Sequence, residues 1–206
     1  MKDLIIIGAG GHGKVVADTA RANEIWQDIS FLDDKFPNKN DVSGFGIVGK
    51  LTEIDNIDNQ TTDIVVALGN NKKRFSLIQM YKEKGYNLPD IIHPTAVISA
   101  SVKMNGATVI FPGAIVNADT SIGIGCIINT AVTIDHDCTI KDGVHLSPGS
   151  HLGGNVTVGK NTWIGIGTAV INNTNIGDDV IVGAGSVVIS DVKDNVVAYG
   201  VPAKIK

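Results

Sequence analysis

The chain has 206 residues, enough for one large domain or two small ones. A net charge of −4, with no cluster of lysine and arginine, argues against a nucleic-acid partner. The apolar run after Met1 is too short for a secretory leader and no stretch is long enough to span a membrane, so no membrane partner and a cytoplasmic setting are expected.

Residues 1–90 read as strand, helix and strand in alternation, the pattern of a small Rossmann-like α/β domain with a parallel sheet. An apolar run from Asp3 to Ile7 breaks at Gly8-Ala9-Gly10-Gly11-His12-Gly13-Lys14, and Val15 to Ala22 carries helical character. A second strand, Ile29 to Leu32, ends at Asp33-Asp34, and a third, Asp63 to Leu68, ends at Gly69-Asn70-Asn71. Phe75, Ile78 and Tyr81 then fall at helical spacing. Residues 35–60 are polar and glycine-rich, and their short apolar pieces define no element.

Gly8, Gly10 and Gly13 spell G-x-G-x-x-G between a strand and a helix, with an acidic residue about twenty positions on. That spacing suggests a dehydrogenase, but only three expected strands precede residue 91, half of a dinucleotide fold. A single nucleotide at the carboxyl ends of the strands fits better. Glycines there let backbone N–H groups approach a phosphate at the helix N-terminus. A glycine-rich turn without a ligand has the same signature.

Residues 91–206 are a different object. From Ile92 to Val188 an aliphatic residue or Met recurs every six positions, seventeen in succession, which reads as a parallel β-helix. Two positions before the marker stand small or β-branched residues such as Thr108, Thr120, Cys126, Val132 and Cys138, on the same inward side. Both cysteines therefore read as reduced packing residues. Three positions after the marker, thirteen of seventeen residues are Gly, Asn or Asp, the types that turn a corner cheaply. Three corners close a coil of eighteen residues, so positions eighteen apart stack.

The residue before each marker points outward. One wall carries Lys103, Ser121, Thr139, Thr157, Asn175 and Lys193 and is polar throughout. A second carries Val109, Ile127, His145, Trp163 and Ile181; a third carries Val97, Ile115, Thr133, His151, Ala169 and Val187. Two largely apolar walls beside one polar wall suit a closed three-fold ring of chains.

The loop Gly-Ala-Gly-Gly-His-Gly-Lys, followed by His93-Pro94-Thr95-Ala96 and the hexads, resembles the left-handed β-helix acetyltransferases of bacterial surface-sugar biosynthesis. These are the nucleotide-linked amino-sugar N-acetyltransferases of the bacillosamine and perosamine type, with the sialic acid O-acetyltransferases as a related alternative. The left hand of the coil comes from this resemblance, since crossovers are generally right-handed. It implies that residues 1–90 hold the nucleotide-sugar and residues 91–206 hold acetyl-CoA, without a metal. Gly10, His12, Gly13 and Lys14 match the family's first loop, Asp33 and Asp34 its acidic pair at the nucleotide base, and Gly69 and Asn70 its third-strand loop. His136 matches the general base and Asp137 its acidic partner, and Gly154, one coil on, the backbone N–H aimed at the thioester carbonyl. The resemblance further implies acetyl-CoA contacts from His145, Ile166, Gly183 and Ala184, with Gly200-Val201-Pro202-Ala203-Lys204 near the coenzyme, and a homotrimer with active sites between chains.

Two other classes share such a coil. A γ-carbonic-anhydrase-like zinc enzyme would draw on His136, His145 and His151 across chains. A non-catalytic nucleotide-sugar-binding module would need only the first domain's loops.

Overall fold

The computed structural model describes residues 1–206, which divide into two compact units, Met1–Pro94 and Thr95–Lys206. In the first unit, β1 (Lys2–Ile7) lies between β2 (Trp26–Leu32) and β5 (Thr62–Val66), and all three run parallel. Leu4, Ile6 and Ile7 of β1 have no exposed surface, as befits a central parallel strand covered on both faces, and Ile64 of β5 is equally buried. Helix α1 (Gly11–Arg21) follows β1, and α2 (Asn71–Glu83) follows β5. The short strand β6 (Ile91–Ile92) packs against α1.

Two details depart from the sequence expectation. Helix α1 begins four residues before Val15, within the glycines. Packing overrides their poor helix propensity, because a Cβ on Gly13 would stand 2.1 Å from the Gly8 carbonyl oxygen. The sheet also has five strands rather than three, in the order β3-β4-β2-β1-β5. The extra pair, β3 (Asp41–Val42) and β4 (Phe45–Gly49), is an antiparallel hairpin. Its turn is Ser43-Gly44, with φ of 53° and 82°, the left-handed pair that a two-residue hairpin demands. Strand β4 pairs parallel to β2 through Phe31 with Ile47 and Leu32 with Gly49. A hairpin is no second mononucleotide half, so the unit remains too small for a dinucleotide fold.

The second unit is a parallel β-helix with three faces of two-residue strands. On the first face Ile115 pairs with Thr133, and Thr133 with His151. On the second, Ser121 pairs with Thr139, and Thr139 with Thr157. On the third, Ile127 pairs with His145, and His145 with Trp163. Each step is eighteen residues in sequence and roughly 4.8 Å in space. The inward markers from Ile110 to Val188 are buried. Every corner from Ala107 through Asp137 to Gly185 takes positive φ, even where the residue is Ala107 or Ala131. Buried threonines serve the corners. Thr120 Oγ1 donates to the Asp135 carbonyl at 2.9 Å and accepts the Cys138 N–H at 3.3 Å. Cys126 and Cys138 are buried and form no disulfide, and Cys138 Sγ accepts the Val156 N–H at 3.4 Å as a hydroxyl would.

The last coil is shorter. Ile176 aligns with Val192 and Ile181 with Val197, a step of sixteen residues, so Lys193 does not continue the polar wall above Asn175. Asp191 Oδ1 accepts the Asn175 N–H at 2.8 Å, a side-chain link in the contracted turn. The chain then folds back, pairing Val197–Gly200 antiparallel with Ala203–Ile205.

Candidate active site

His136 and Asp137 form the corner between strands Thr133–Ile134 and Thr139–Ile140. Asp137 has φ of 58°, a conformation Asp adopts more readily than most residues. The corner leaves both side chains in solvent, 60% and 61% exposed. Asp137 Oδ2 accepts a hydrogen bond from His136 Nδ1 at 2.8 Å. Assigning the proton to Nδ1 on that partner leaves the lone pair on Nε2. Asp137 thus serves as turn former and orienting partner at once. Its hydrogen bond, followed by the negative charge of Asp135, raises the His136 pKa above 6.5.

Gly154 lies one coil further. A Cβ there would stand 2.6 Å from both Cε1 and Nε2 of His136, so only glycine leaves room for the imidazole. The neighbouring N–H groups are used within the coil, Gly153 to the Val170 carbonyl at 2.9 Å and Asn155 to the His136 carbonyl at 2.8 Å. The Gly154 N–H donates to no acceptor in the chain. A base lone pair thus lies beside an unused backbone donor, the pairing that base-assisted attack on a carbonyl requires. Beneath this corner the Cys138 thiol is buried, and burial raises its pKa, which unfits it as a nucleophile.

His145 lies on the third face, where its ring stacks on Trp163 at 6.0 Å between centroids. Asn129 Nδ2 lies 3.3 Å from His145 Nε2, and Trp163 Nε1 donates to Ser147 Oγ at 2.7 Å. Ile166, 60% exposed, occupies the next corner, and Ala184 stands one coil beyond it. Gly183 packs under Tyr199 of the terminal hairpin, where an added Cβ would stand 2.8 Å from the Tyr199 Cβ. The structure therefore brings together His136, Asp137 and Gly154 on one corner. It places His145, Ile166, Gly183 and Ala184 on another part of the same coil. His151, the third histidine of the zinc alternative, lies on the first face with Nδ1 2.9 Å from Thr133 Oγ1.

In the first unit the expected residues converge on the carboxyl ends of β1, β2 and β5. Gly10 caps α1 with no side-chain bond, and no acidic residue follows in the first turn, so the positive end of the helix is open to an anion. Lys14 is exposed in that turn. Asp33 is a clamp as well as a candidate contact: Oδ2 accepts the Ala9 N–H at 2.7 Å and Oδ1 the Lys35 N–H at 2.9 Å. Asp34 Oδ1 accepts the Leu51 N–H at 3.3 Å. Asn70 caps α2 by accepting the Lys73 N–H at 2.9 Å, and Gly69 beside it faces open space. His12 is half-buried; desolvation, then the Arg74 guanidinium, lower its pKa to about 4, so it is neutral near pH 7.

Sequence reasoning missed two cations that bond to these loops. Lys39 Nζ donates to the Ala9 carbonyl at 2.7 Å, opposite the Asp33 clamp on the same residue. Arg74, 2% exposed, donates from Nη1 to the Leu68 carbonyl at 3.0 Å and to Asn71 Oδ1 at 2.9 Å. Arg74 precedes Phe75 on a helix whose apolar spacing drew attention elsewhere, and Lys39 lies in the stretch without pattern.

Residues 3–81 match the family described as the PglD N-terminal domain. A UDP-N-acetylbacillosamine N-acetyltransferase of Bacillus subtilis (strain 168) is 38% identical over 111 residues, 53% of this chain and 51% of that protein. The match thus spans about half the length of this curated relative. The acetyltransferase domain of PglB from Neisseria gonorrhoeae FA1090, solved with acetyl coenzyme A, superposes with a TM-score of 0.97 at 39% identity, covering 100% of this chain and 99% of that one. PerB from Caulobacter crescentus, solved with CoA and GDP-perosamine, superposes with a TM-score of 0.94 at 39% identity, covering 100% and 98%. The chain belongs to the bacillosamine- and perosamine-type sugar N-acetyltransferase family, with its small α/β unit and left-handed parallel β-helix.

Proposed function

We propose that this protein transfers the acetyl group of acetyl-CoA to the amine of a UDP- or GDP-linked 4-amino sugar, in bacterial surface glycan biosynthesis. The observation that carries the reading is the His136–Asp137 pair at 2.8 Å, its free Nε2 set against the Gly154 recess. His136 takes a proton from the amine as nitrogen attacks the acetyl carbonyl carbon. The Gly154 N–H receives the developing oxyanion. The C–S bond then breaks and CoA leaves as a thiolate, an acceptable leaving group since an ordinary thiol has a pKa of about 8.5. No covalent enzyme intermediate is needed.

The nucleotide is assigned to the first unit. Gly10, Gly13 and Lys14 take its phosphates at the open end of α1, and His12, Asp33, Asp34, Gly69 and Asn70 shape the rest of that site. Acetyl-CoA is assigned to the coil, along Ile166, Gly183 and Ala184. Since these residues lie on a different part of the coil from His136, we assign the complete site to two chains of a homotrimer, with His145 acting in trans near the transferred group. Two buried cysteines that form no disulfide suit a reducing, cytoplasmic setting.

Separate calorimetric titrations with acetyl-CoA and with a panel of UDP-, GDP- and CMP-linked sugars test the two-ligand assignment. Asp33→Ala or His12→Ala should weaken binding of the preferred nucleotide-sugar and leave acetyl-CoA affinity unchanged. An equal loss for both ligands, or no binding of any nucleotide-sugar by the wild type, would overturn it.

A further inference from the structure

Beside the base stands a carboxylate of which only one oxygen is used. Asp135 Oδ1 accepts the His136 backbone N–H at 2.9 Å and the side-chain N–H of Asn117 at 3.0 Å. Oδ2 makes no hydrogen bond in the chain, and the residue is half-exposed on the edge that carries His136. The bonds from Asn117 and from the His136 backbone hold its pKa below the ordinary value, so it is anionic near neutral pH.

The corner itself does not need that charge. One hexad earlier Asn129 occupies the equivalent position, and its Oδ1 accepts the Thr130 backbone N–H at the same 2.9 Å. An amide therefore caps this kind of corner as well as a carboxylate does. Elsewhere the matching N–H is capped by a carboxylate from the coil above, Ile124 by Asp142 and Lys160 by Asp178. Above Asp135 and His136 that coil supplies only Gly153 and Gly154, so it adds no side chain over this corner. A negative charge is retained where geometry asks only for an acceptor, and its second oxygen is unspent.

We propose that Asp135 is the specificity residue that selects an amine over a hydroxyl, its free Oδ2 receiving the substrate's ammonium group beside His136. The inference rests on the acetyl-transfer reading and deepens it. A sugar amine is largely protonated near neutral pH and carries the positive charge that a hydroxyl lacks. The ammonium is held by Asp135 and gives one proton to His136 Nε2, which passes it to water. The freed lone pair forms the C–N bond as His136, neutral again, takes a second proton from nitrogen; the C–S bond breaks and that proton passes to the CoA thiolate. The amide keeps the third, so each turnover yields amide, CoA thiol and one proton in solution.

The test uses the full chain and its Asp135→Asn variant, which keeps the capping oxygen. Calorimetry compares the preferred nucleotide-linked amino sugar with the same nucleotide-sugar bearing a hydroxyl in place of the amine. Wild type should bind the amine about tenfold or more tighter than the hydroxyl compound, the scale of one charge-assisted hydrogen bond. Asp135→Asn should erase that margin, raise KM for the amino sugar by the same factor, and leave hydroxyl-analogue binding and KM for acetyl-CoA unchanged. Equal affinity for the two compounds in wild type, or an undiminished margin in the variant, would overturn the inference while acetyl transfer stands. A wild type that acetylates no amino-sugar nucleotide would instead overturn the reading beneath it.

Discussion

At His136 two carboxylates act on one imidazole, and both push its pKa upward, Asp137 by a direct hydrogen bond and Asp135 by its charge. A base works only when neutral. With a raised pKa, kcat/KM should fall as pH drops through a value above 6.5. In Asp137→Asn the turn survives, because Asn takes left-handed φ at the equivalent Asn155 and Asn173. The hydrogen-bonded charge is lost, so the acidic limb should move to lower pH while plateau turnover falls about tenfold or more. A pH–rate profile of both proteins checks this, and a superimposable pair would leave Asp137 as a turn former only. His136 was legible from sequence because a tight corner has no packing use for an imidazole; Asp137, a residue type common at such corners as a turn former, was marked only by the family resemblance. The stack of His145 on Trp163 was half-legible, since both side chains lie on one wall, eighteen residues apart.

At the scale of elements, one buried carboxylate ties the first sheet together. Asp63 on β5 accepts from Lys2 of β1 at 3.1 Å, from Trp26 of β2 at 3.1 Å and from Asn87 at 2.8 Å. Burial alone would raise its pKa, yet the bonds from Asn87, Trp26 and Lys2 outweigh burial and hold it below the ordinary 3.8. Because the folded value lies below the unfolded one, this stabilisation is fully present above pH 3.8 and is lost as pH falls through the folded pKa. Asp63→Ala should cost roughly 2–4 kcal/mol near neutral pH and less in acid. Denaturant melts at several pH values measure it; a loss that does not shrink in acid would assign the effect to packing. The same scale shows where sequence ran out. The hexads were legible because a fixed period repeats one packing solution, with every marker buried from Ile110 to Val188. Strand β4 was not, since only Phe45, Ile47 and Gly49 face inward and the turn at Ser43-Gly44 carries no Asn-Gly or Asp-Gly signal. The shortened last coil was missed because the side chains that cap it, Asp191 on the Asn175 N–H and Asp194 on the Asp178 N–H, are corner residues like those of any regular coil.

At the scale of the whole molecule, the exposed side chains argue for assembly. Val97 is 62% exposed and Ile115 38% on the first face, and Trp163 is 46% and Ile181 43% on the third. The second face shows only Lys103, Ser121, Thr139, Thr157 and Asn175. Unlike apolar faces meeting around a three-fold axis would cover the first and third and leave the second in water. In that assembly the corner of His136 can meet His145 of a neighbouring chain. Mixing inactive His136→Ala and His145→Ala proteins, with subunit exchange verified, should then restore part of the activity. No recovery despite exchange, or a monomer by light scattering at working concentration, would contradict a shared site.

The most direct measurement of acetyl transfer is release of CoA thiol from acetyl-CoA in the presence of a UDP- or GDP-linked 4-amino sugar, with the sugar product followed by mass spectrometry. Wild type should release one thiol per sugar acetylated, and His136→Ala should turn over about 10²–10⁴-fold more slowly, the usual worth of a positioned base, with acetyl-CoA binding intact. Failure of the wild type to acetylate any such sugar, or a His136→Ala variant that keeps more than about a third of wild-type turnover, would contradict it.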